Sequence, residues 1–295
     1  MMKNSIFAEG MTFQEGDEHE SVGNVRTFLG SLGYTALSPQ AAEAASLAFD
    51  TDLAEAVKKF QRFHGLEATG VIDQETRETM EMPRCGVPDL TGGQEVHAQG
   101  VARFVTSGGK WPSNNLTYRF VNGTSDLAGE AERDIVRQAF DIWAEVTPLR
   151  FTEVSGSASA DFLISWVTGD HGDGSPFDGP GHVLAHAFFP PPVNPHPGIA
   201  GDLHFDDAEM WKAVGETGGI DLLTVAIHEL GHALGLRHSM DRDAIMFPTY
   251  RGPRHTLGDD DVEGIQSIYG PPESEVTPPS SWWERFWNWF RGLFG

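Results

Sequence analysis

The amino-acid sequence predicts an α+β chain: a small all-helical unit followed by a mixed domain. Three observations predict it. Apolar residues recur at helical spacing between residues 23 and 82. Short alternating runs between 116 and 167 read as strands around one long amphipathic helix, and from 220 to 269 the pattern returns to helix. Strand, helix, strands and then helices in one stretch is the order of an α+β domain.

The elements follow in chain order. Residues 1–22 are acidic and weakly patterned, and are expected to be a flexible lead-in. In the 23–82 unit Val25, Phe28, Leu29 and Leu32 make one apolar stripe, with Gly33 placed as a C-terminal cap; Leu53, Val57, Phe60 and Phe63 make a second, stopped near Gly65. Asp73 caps a short third helix through Met80. Residues 83–103 hold the single Cys and then a Gly-rich stretch; lack of period extends the linker reading from Asp89 to Ser113. The second domain spans 104–270. Its strands are expected at Leu116 to Val121, Arg150 to Val154 and Asp161 to Val167, with helices at Ala128 to Val146, Ile220 to Leu236 and Asp259 to Tyr269. Residues 168–209 are rich in Gly, Asp, His and Pro and too long for an unordered loop, so something must order them. Residues 271–281 form a Pro/Ser linker and 282–295 an aromatic amphipathic tail.

Composition narrows the function classes. The chain has 295 residues and a formal net charge of −23, so no basic surface competes for phosphate, which argues against nucleic acid. One Cys cannot form an internal disulfide, no apolar run reaches the length of a membrane span, and no signal peptide is visible near the start.

The chemistry is concentrated at His228-Glu229-Leu230-Gly231-His232. Residues four apart share a helix face, so His228 and His232 can hold one metal while Glu229 projects toward a metal-bound water. Gly235 can end the helix in a left-handed conformation and return the chain, letting His238 supply a third nitrogen. Three neutral imidazoles plus water is the open arrangement of catalytic zinc. Zinc lowers the water pKa and polarises a carbonyl, while Glu229 takes the proton and passes it to the leaving amine.

The run from His228 through Gly235 to His238, followed by Met246, resembles the metzincins and, within them, the matrix metalloproteinases or matrixins. The resemblance implies a twisted, mostly parallel sheet with three helices, a zinc endopeptidase activity, and a packing role for Met246 beneath the metal. Pro83-Arg84-Cys85-Gly86-Val87-Pro88-Asp89 resembles the matrixin cysteine switch. It implies that Cys85 fills the fourth metal position until the pro-domain is removed, with an Arg84–Asp89 ion pair holding the segment. The 23–82 unit resembles the matrixin pro-domain and, equally, peptidoglycan-binding modules. A module of shared fold does not by itself establish wall binding.

The Gly/Asp/His stretch resembles the matrixin metal loop. His171, Asp173, His186 and His204 could close a structural zinc site. Asp178, Asp206 and Glu209, with the carbonyls of Gly179, Gly181 and Val183, suit a first Ca²⁺. By resemblance Asp161, Gly198, Ala200 and Asp202 hold a second, and Asp126, Asp207 and Glu209 a third. A Pro-rich insertion at Phe189 to Pro197 departs from the family pattern next to Gly198 and Ala200. The remaining histidines, 19, 64, 97, 182, 196 and 255, are read as ordinary surface residues.

The resemblance also implies that a protein or peptide substrate adds beside the strand Val183 to Ala187, contacting Leu184 and Ala185. A pocket for the residue after the scissile bond lies between the zinc helix and Pro248-Thr249-Tyr250. Thr224, small and four residues before His228, suggests an open pocket for medium or large apolar side chains. Asp260 and Asp261 match family acids, one bracing the Met246 turn and the other meeting the new N-terminus. The mature chain would begin near Phe104. A monomer outside the cell is expected, with its own pro-domain as inhibitor. The tail Trp282 to Phe294 suits an interfacial anchor touching a membrane surface, a docking helix, or no role. Two rivals remain: a zinc amidase of cell-wall peptides targeted by residues 23–82, and an inactive binding protein. A wall-binding module has no use for a metal-blocking thiol, and an inactive protein has none for an intact Glu229.

Overall fold

The computed structural model describes residues 11–35, 47–90, 104–194 and 198–273. Within them two hydrophobic cores form, one for each unit predicted.

The first unit packs helices α1 (Glu20–Ser31), α2 (Thr51–Phe63) and α3 (Gln74–Met80). Val22, Val25, Leu29, Leu53, Val57, Phe60 and Ile72 are fully buried between them. Asp50 and Asp73 cap α2 and α3 by accepting the Leu53 and Thr76 N–H groups at 2.9 Å. Gly33 (φ +87°) and Gly65 (φ +66°) end α1 and α2 in the left-handed conformation that L side chains resist. Each carries paired return bonds, Tyr34 N–H to the Leu29 carbonyl and Leu66 N–H to the Gln61 carbonyl among them. The lead-in proves shorter than its acidity suggests. Phe13 is buried and its backbone pairs with Ile72, Glu18 pairs with Ala48, and α1 begins at Glu20. One aromatic side chain in the core outweighs the charges, which stay at the surface.

The second unit is built on a sheet ordered β1-β5-β6-β4-β2-β3. Its strands are β1 (Arg84–Cys85), β2 (Asn115–Phe120), β3 (Arg150–Glu153), β4 (Phe162–Val167), β5 (Val183–Ala187) and β6 (Leu203–Asp206). All pairings are parallel except β5 with β6. Two short strands, β7 (Trp211–Lys212) and β8 (Ile220–Asp221), pair separately. Three helices complete it: α4 (Ala131–Glu145), α5 (Leu222–Ala233) and α6 (Asp259–Tyr269). The predicted helix from Ile220 starts two residues later, because Ile220 and Asp221 pair as β8 and Asp221 caps α5 through the Thr224 N–H at 2.9 Å. Every residue of α5 is buried, as its near-continuous apolar run requires. Trp143 of α4 binds it by donating from Nε1 to the Ile227 carbonyl at 2.9 Å.

The linker reading fails for residues 104–113. Ser107 and Arg237 exchange backbone bonds with Gly235 and Val105, and buried Trp111 donates from Nε1 to the Ala233 carbonyl at 2.9 Å. The low periodicity there reflects packing along one loop rather than the absence of packing. Residues 1–10, 91–103 and 274–295, which include the aromatic tail and most of the 271–281 linker, lie outside the described residues.

Candidate active site

Helix α5 presents His228 and His232 on one face, one turn apart. Gly235 (φ +110°) then closes the helix with Leu236 N–H returning to the Gly231 carbonyl at 2.9 Å. A Cβ on Gly235 would stand 2.7 Å from the Gly109 carbonyl oxygen, so both conformation and space demand glycine. The reversal brings His238 back to the other two. Ligand atoms of His228, His232, His238 and Cys85 all lie within 4.8 Å of one another, and all four side chains are buried.

Two of the imidazoles are oriented by a hydrogen bond through Nδ1, and the third faces a carboxylate. His228 Nδ1 donates to the Ile245 carbonyl at 2.7 Å and His232 Nδ1 to the Leu236 carbonyl at 2.8 Å. His238 Nδ1 lies 2.8 Å from Asp89 Oδ1. The three Nε2 atoms are buried without a hydrogen-bond partner. Buried polar atoms normally find partners, so three orphaned lone pairs aimed at one point, beside a thiol, fit a soft divalent cation. Burial, and then the neighbouring His238, hold His228 down at about 3, so the rings stay neutral as a ligand must.

Glu229 is fully buried beside them. Its Oε1 has no hydrogen-bond partner and its Oε2 lies 3.6 Å from the Cys85 sulfur. Burial pushes the Glu229 carboxyl up to about 8, and burial followed by the Glu229 charge pushes the Cys85 thiol up as well. A cation among the imidazoles acts against both shifts, because it favours the ionised forms.

Cys85 reaches this point on β1, which runs through a cleft. On one side Arg84 N–H donates to the His182 carbonyl at 2.7 Å and Gly86 N–H to the Ala185 carbonyl at 2.8 Å. On the other, Cys85 N–H donates to the Pro248 carbonyl at 3.0 Å and Tyr250 N–H to the Pro83 carbonyl at 2.7 Å. A Cβ on Gly86 would stand 2.8 Å from Val183, so only glycine lets the segment approach β5 this closely. Leu184 and Ala185 on one wall and Thr224, Pro248 and Tyr250 on the other are thus brought together around it. Arg84 and Asp89 pair at 2.5 Å, both buried.

Asp89 does more than the ion pair. It also accepts from the Tyr34 hydroxyl at 2.7 Å, and His64 Nε2 lies 3.8 Å away. One carboxylate therefore joins the first unit, β1 and His238. The opposite charge of Arg84 and the neighbouring His238 and His64 outweigh burial and hold Asp89 well below the usual carboxylate range. The sequence reading missed this hub, and it placed His64 at the surface. His64 is 1% exposed and lies among Phe60, Phe63 and Phe247. The signal was an imidazole one residue before a helix-ending glycine, where a side chain turns back to the core. His19 caps α1 and His255 Nε2 contacts Asp221 at 2.9 Å, so these two are engaged as well; His97 and His196 lie outside the described residues.

A turn supports the centre from below. Met246 is buried, and its sulfur would stand 2.3 Å from a Cβ on Gly231. Asp261 accepts the Ile245 N–H at 2.7 Å and the Met246 N–H at 3.1 Å, while Asp260 accepts from the Ser239 hydroxyl at 2.6 Å.

A second cluster forms where β5 and β6 pair antiparallel with His186 opposite His204. His171, His186 and His204 each place a ring nitrogen within 2.9 Å of Asp173 Oδ2. Burial and neighbouring His204 lower His186 to about 4, while at Asp173 burial is outweighed by bonds from Ser175 and His186, which hold it at about 2. Among the described residues these are the two clusters in which three or more His, Cys, Asp or Glu ligand atoms lie so close.

The predicted calcium ligands are less tightly gathered. Asp178 Oδ1 accepts the Val183 N–H at 3.1 Å and Glu209 Oε1 the Gly181 N–H at 2.5 Å, with Gly179 and Gly181 both at positive φ. Asp206 is fully buried and its Oδ2 has no hydrogen-bond partner. Burial first, then repulsion from neighbouring carboxylates (Asp178 on both, Asp207 on Asp206 and Asp206 on Glu209), raises Asp206 and Glu209. Around the second set, Asp161 Oδ2 accepts from the Thr117 N–H and hydroxyl, and Asp202 Oδ1 from the Leu163 N–H. Gly201, whose Cβ would stand 2.5 Å from the Asp161 carbonyl, holds the turn of Gly198 and Ala200 against that residue. Of the third set, Asp126 Oδ2 accepts the Trp211 N–H at 2.8 Å, and Asp207 is exposed.

The sheet, the three helices and the imidazole–thiol centre define a metallopeptidase-type domain that carries its own helical pro-domain. The matrixin family pattern matches residues 110–270, more than half of the chain, and a pattern described as a peptidoglycan binding domain matches residues 18–80. The chain therefore belongs to the matrixin family. It is similar to Matrix metalloproteinase-16 of Homo sapiens, 42% identical over 271 residues that cover 88% of this chain and 43% of that protein. Interstitial collagenase of Sus scrofa is 47% identical over 227 residues, 76% of this chain and 44% of that protein. Stromelysin-1 of Mus musculus is 46% identical over 222 residues, 73% and 43%. The chain thus matches less than half the length of these relatives.

Proposed function

We propose that this chain is a latent zinc- and calcium-dependent endopeptidase, held inactive by Cys85 until its pro-domain is removed. The carrying observation is β1. The chain lays its own segment in the cleft between β5 and Pro248–Tyr250 and places a thiol beside three orphaned imidazole nitrogens. A peptide substrate making the same backbone bonds would bring its carbonyl to that point.

His228, His232 and His238 would hold the catalytic zinc, with Cys85 as the fourth donor in the latent form. When bound, zinc supplies a Lewis acid that polarises the scissile carbonyl and acidifies water. Glu229, adjacent to the metal ligands and shielded from solvent, takes the proton of the attacking water and returns it to the leaving amine. Asp89 orients His238 and Asp261 holds the turn beneath. His171, Asp173, His186 and His204 would hold a structural zinc that ties the 168–187 loop to β5 and β6. Asp178, Asp206 and Glu209 would bind Ca²⁺, as would the Asp161–Asp202 and Asp126–Asp207 sets. The family kinship supports action outside the cell on protein substrates, as a monomer.

The peptidoglycan-binding match gives one other reading, an amidase of cell-wall peptides. Casein and muropeptide digestion by the intact chain, before and after thiol modification, separates the two. Casein cleavage that appears only after modification is expected. Activity indifferent to the thiol removes the switch, and muropeptide cleavage without casein cleavage replaces the endopeptidase.

A further inference from the structure

Beside His228 and Glu229 lies a cavity of about 110 Å³. Apolar side chains line part of it, Leu184, Val225, Ile245 and Phe247 among them, in keeping with the apolar preference expected from Thr224. Arg242 and Arg251, both exposed, line it together with Arg254 and give it a cationic rim, on a protein whose formal net charge is −23.

These arginines are positioned. The Arg254 N–H donates to Thr224 Oγ1 at 2.8 Å, which pins the loop to the first turn of α5. Its guanidinium lies 3.5 Å from the Arg242 carbonyl and 3.5 Å from Asp243, an aspartate that is 94% exposed and so a weak, screened partner. The Arg251 guanidinium lies 5.9 Å from the ring centre of Phe247, a wall of the cavity. Arg242 gives Nε and a terminal nitrogen to the His64 carbonyl, at 3.2 and 2.5 Å. That carbonyl ends a pro-domain helix, so the donors are released when the pro-domain leaves. Arg84, the fourth arginine at this cavity, departs with the same segment.

Resting on the endopeptidase reading, we propose that this rim selects substrates with an acidic side chain after the scissile bond, read by Arg242, Arg251 and Arg254. A glutamate matches this chemistry, with methylenes for the apolar part of the lining and a carboxylate for the guanidinium groups. Such charge-assisted bonds are the strong ones, and a cationic mouth on an acidic protein also draws anionic segments to this one place.

The test uses the chain activated by thiol modification and then freed of its pro-domain by cleavage before Phe104, so that Arg242 has left the His64 carbonyl, with three peptides differing only in Leu, Glu or Gln after the scissile bond. The Glu peptide is expected to exceed its uncharged isostere Gln about tenfold in kcat/KM, the order of a charged hydrogen bond. The ratio should shrink as salt rises and fall toward one in Arg254→Ala and in Arg242→Ala, each an exchange on the rim rather than in the core. A Glu-to-Gln ratio near one in the parent chain, or one that neither variant changes, overturns the proposal while Leu cleavage keeps the endopeptidase intact. Failure to cleave any of the three overturns the endopeptidase reading itself.

Discussion

Glu229 and Cys85 are two buried ionisable side chains in contact, so the proposed zinc would set the state of both. Burial raises each of them, so an ion-free centre favours the protonated pair. On the proposed function, a bound cation would make the thiol a ligand and the carboxylate a base. Glu229→Ala removes the base without touching an imidazole. It should retain zinc, measured by metal analysis of the purified chain, and lose about 10² to 10⁴-fold in turnover. Turnover near the parent level would assign the proton to another group. Cys85→Ser replaces the soft donor with a weaker one, and should make the intact chain active without thiol reagent. A variant that stays silent until the pro-domain is cut would place latency in the backbone bonds of β1 instead.

Helix α5 shows how an element is fitted to its site. Its apolar residues bury the whole surface, so the two imidazoles and Glu229 need no exposed face to be held in place. Gly231 lies between them for a packing reason: any Cβ there would meet the Met246 sulfur and the Trp143 ring. Gly231→Ala should therefore destabilise the domain by about 1–3 kcal/mol, the usual cost of overpacking a filled core. Thermal unfolding would register this as a drop of several degrees, and an unchanged midpoint would show that the Met246 turn yields at no cost.

At the scale of the molecule, an acidic chain stores carboxylates in its interior. Burial raises Asp202 to about 6 and raises Asp206 and Glu209 in the same direction. The sign follows from linkage. With folded-state pKa values above those of the unfolded chain, protonated carboxyls favour folding below about pH 4, and that stability is lost as pH rises through about 6. A bound cation removes the cost of ionisation and competes with the proton. Adding Ca²⁺ should thus raise the melting temperature more at pH 7.5 than at pH 5, and a Ca²⁺-selective chelator should lower it at pH 7.5. Equal midpoints with and without Ca²⁺ at pH 7.5 would remove the calcium sites.

Short-range chemistry was legible in the sequence. Helical spacing located His228, Glu229 and His232, Gly235 marked the reversal, and the lone Cys fell in a segment that lies beside the three imidazoles. Those signals are local, because a helix face and a left-handed glycine are decided by neighbours within a few residues. The tertiary structure alone decided the rest. It put Phe13 in a core despite its acidic surroundings, turned the 104–113 stretch into packed chain, and set His186 opposite His204. It also joined Tyr34, Asp89 and His238 across two units and carried Arg242 onto the carbonyl of His64. The physical reason is separation along the chain: whether two distant groups meet depends on which surfaces bury each other, and no local period encodes that.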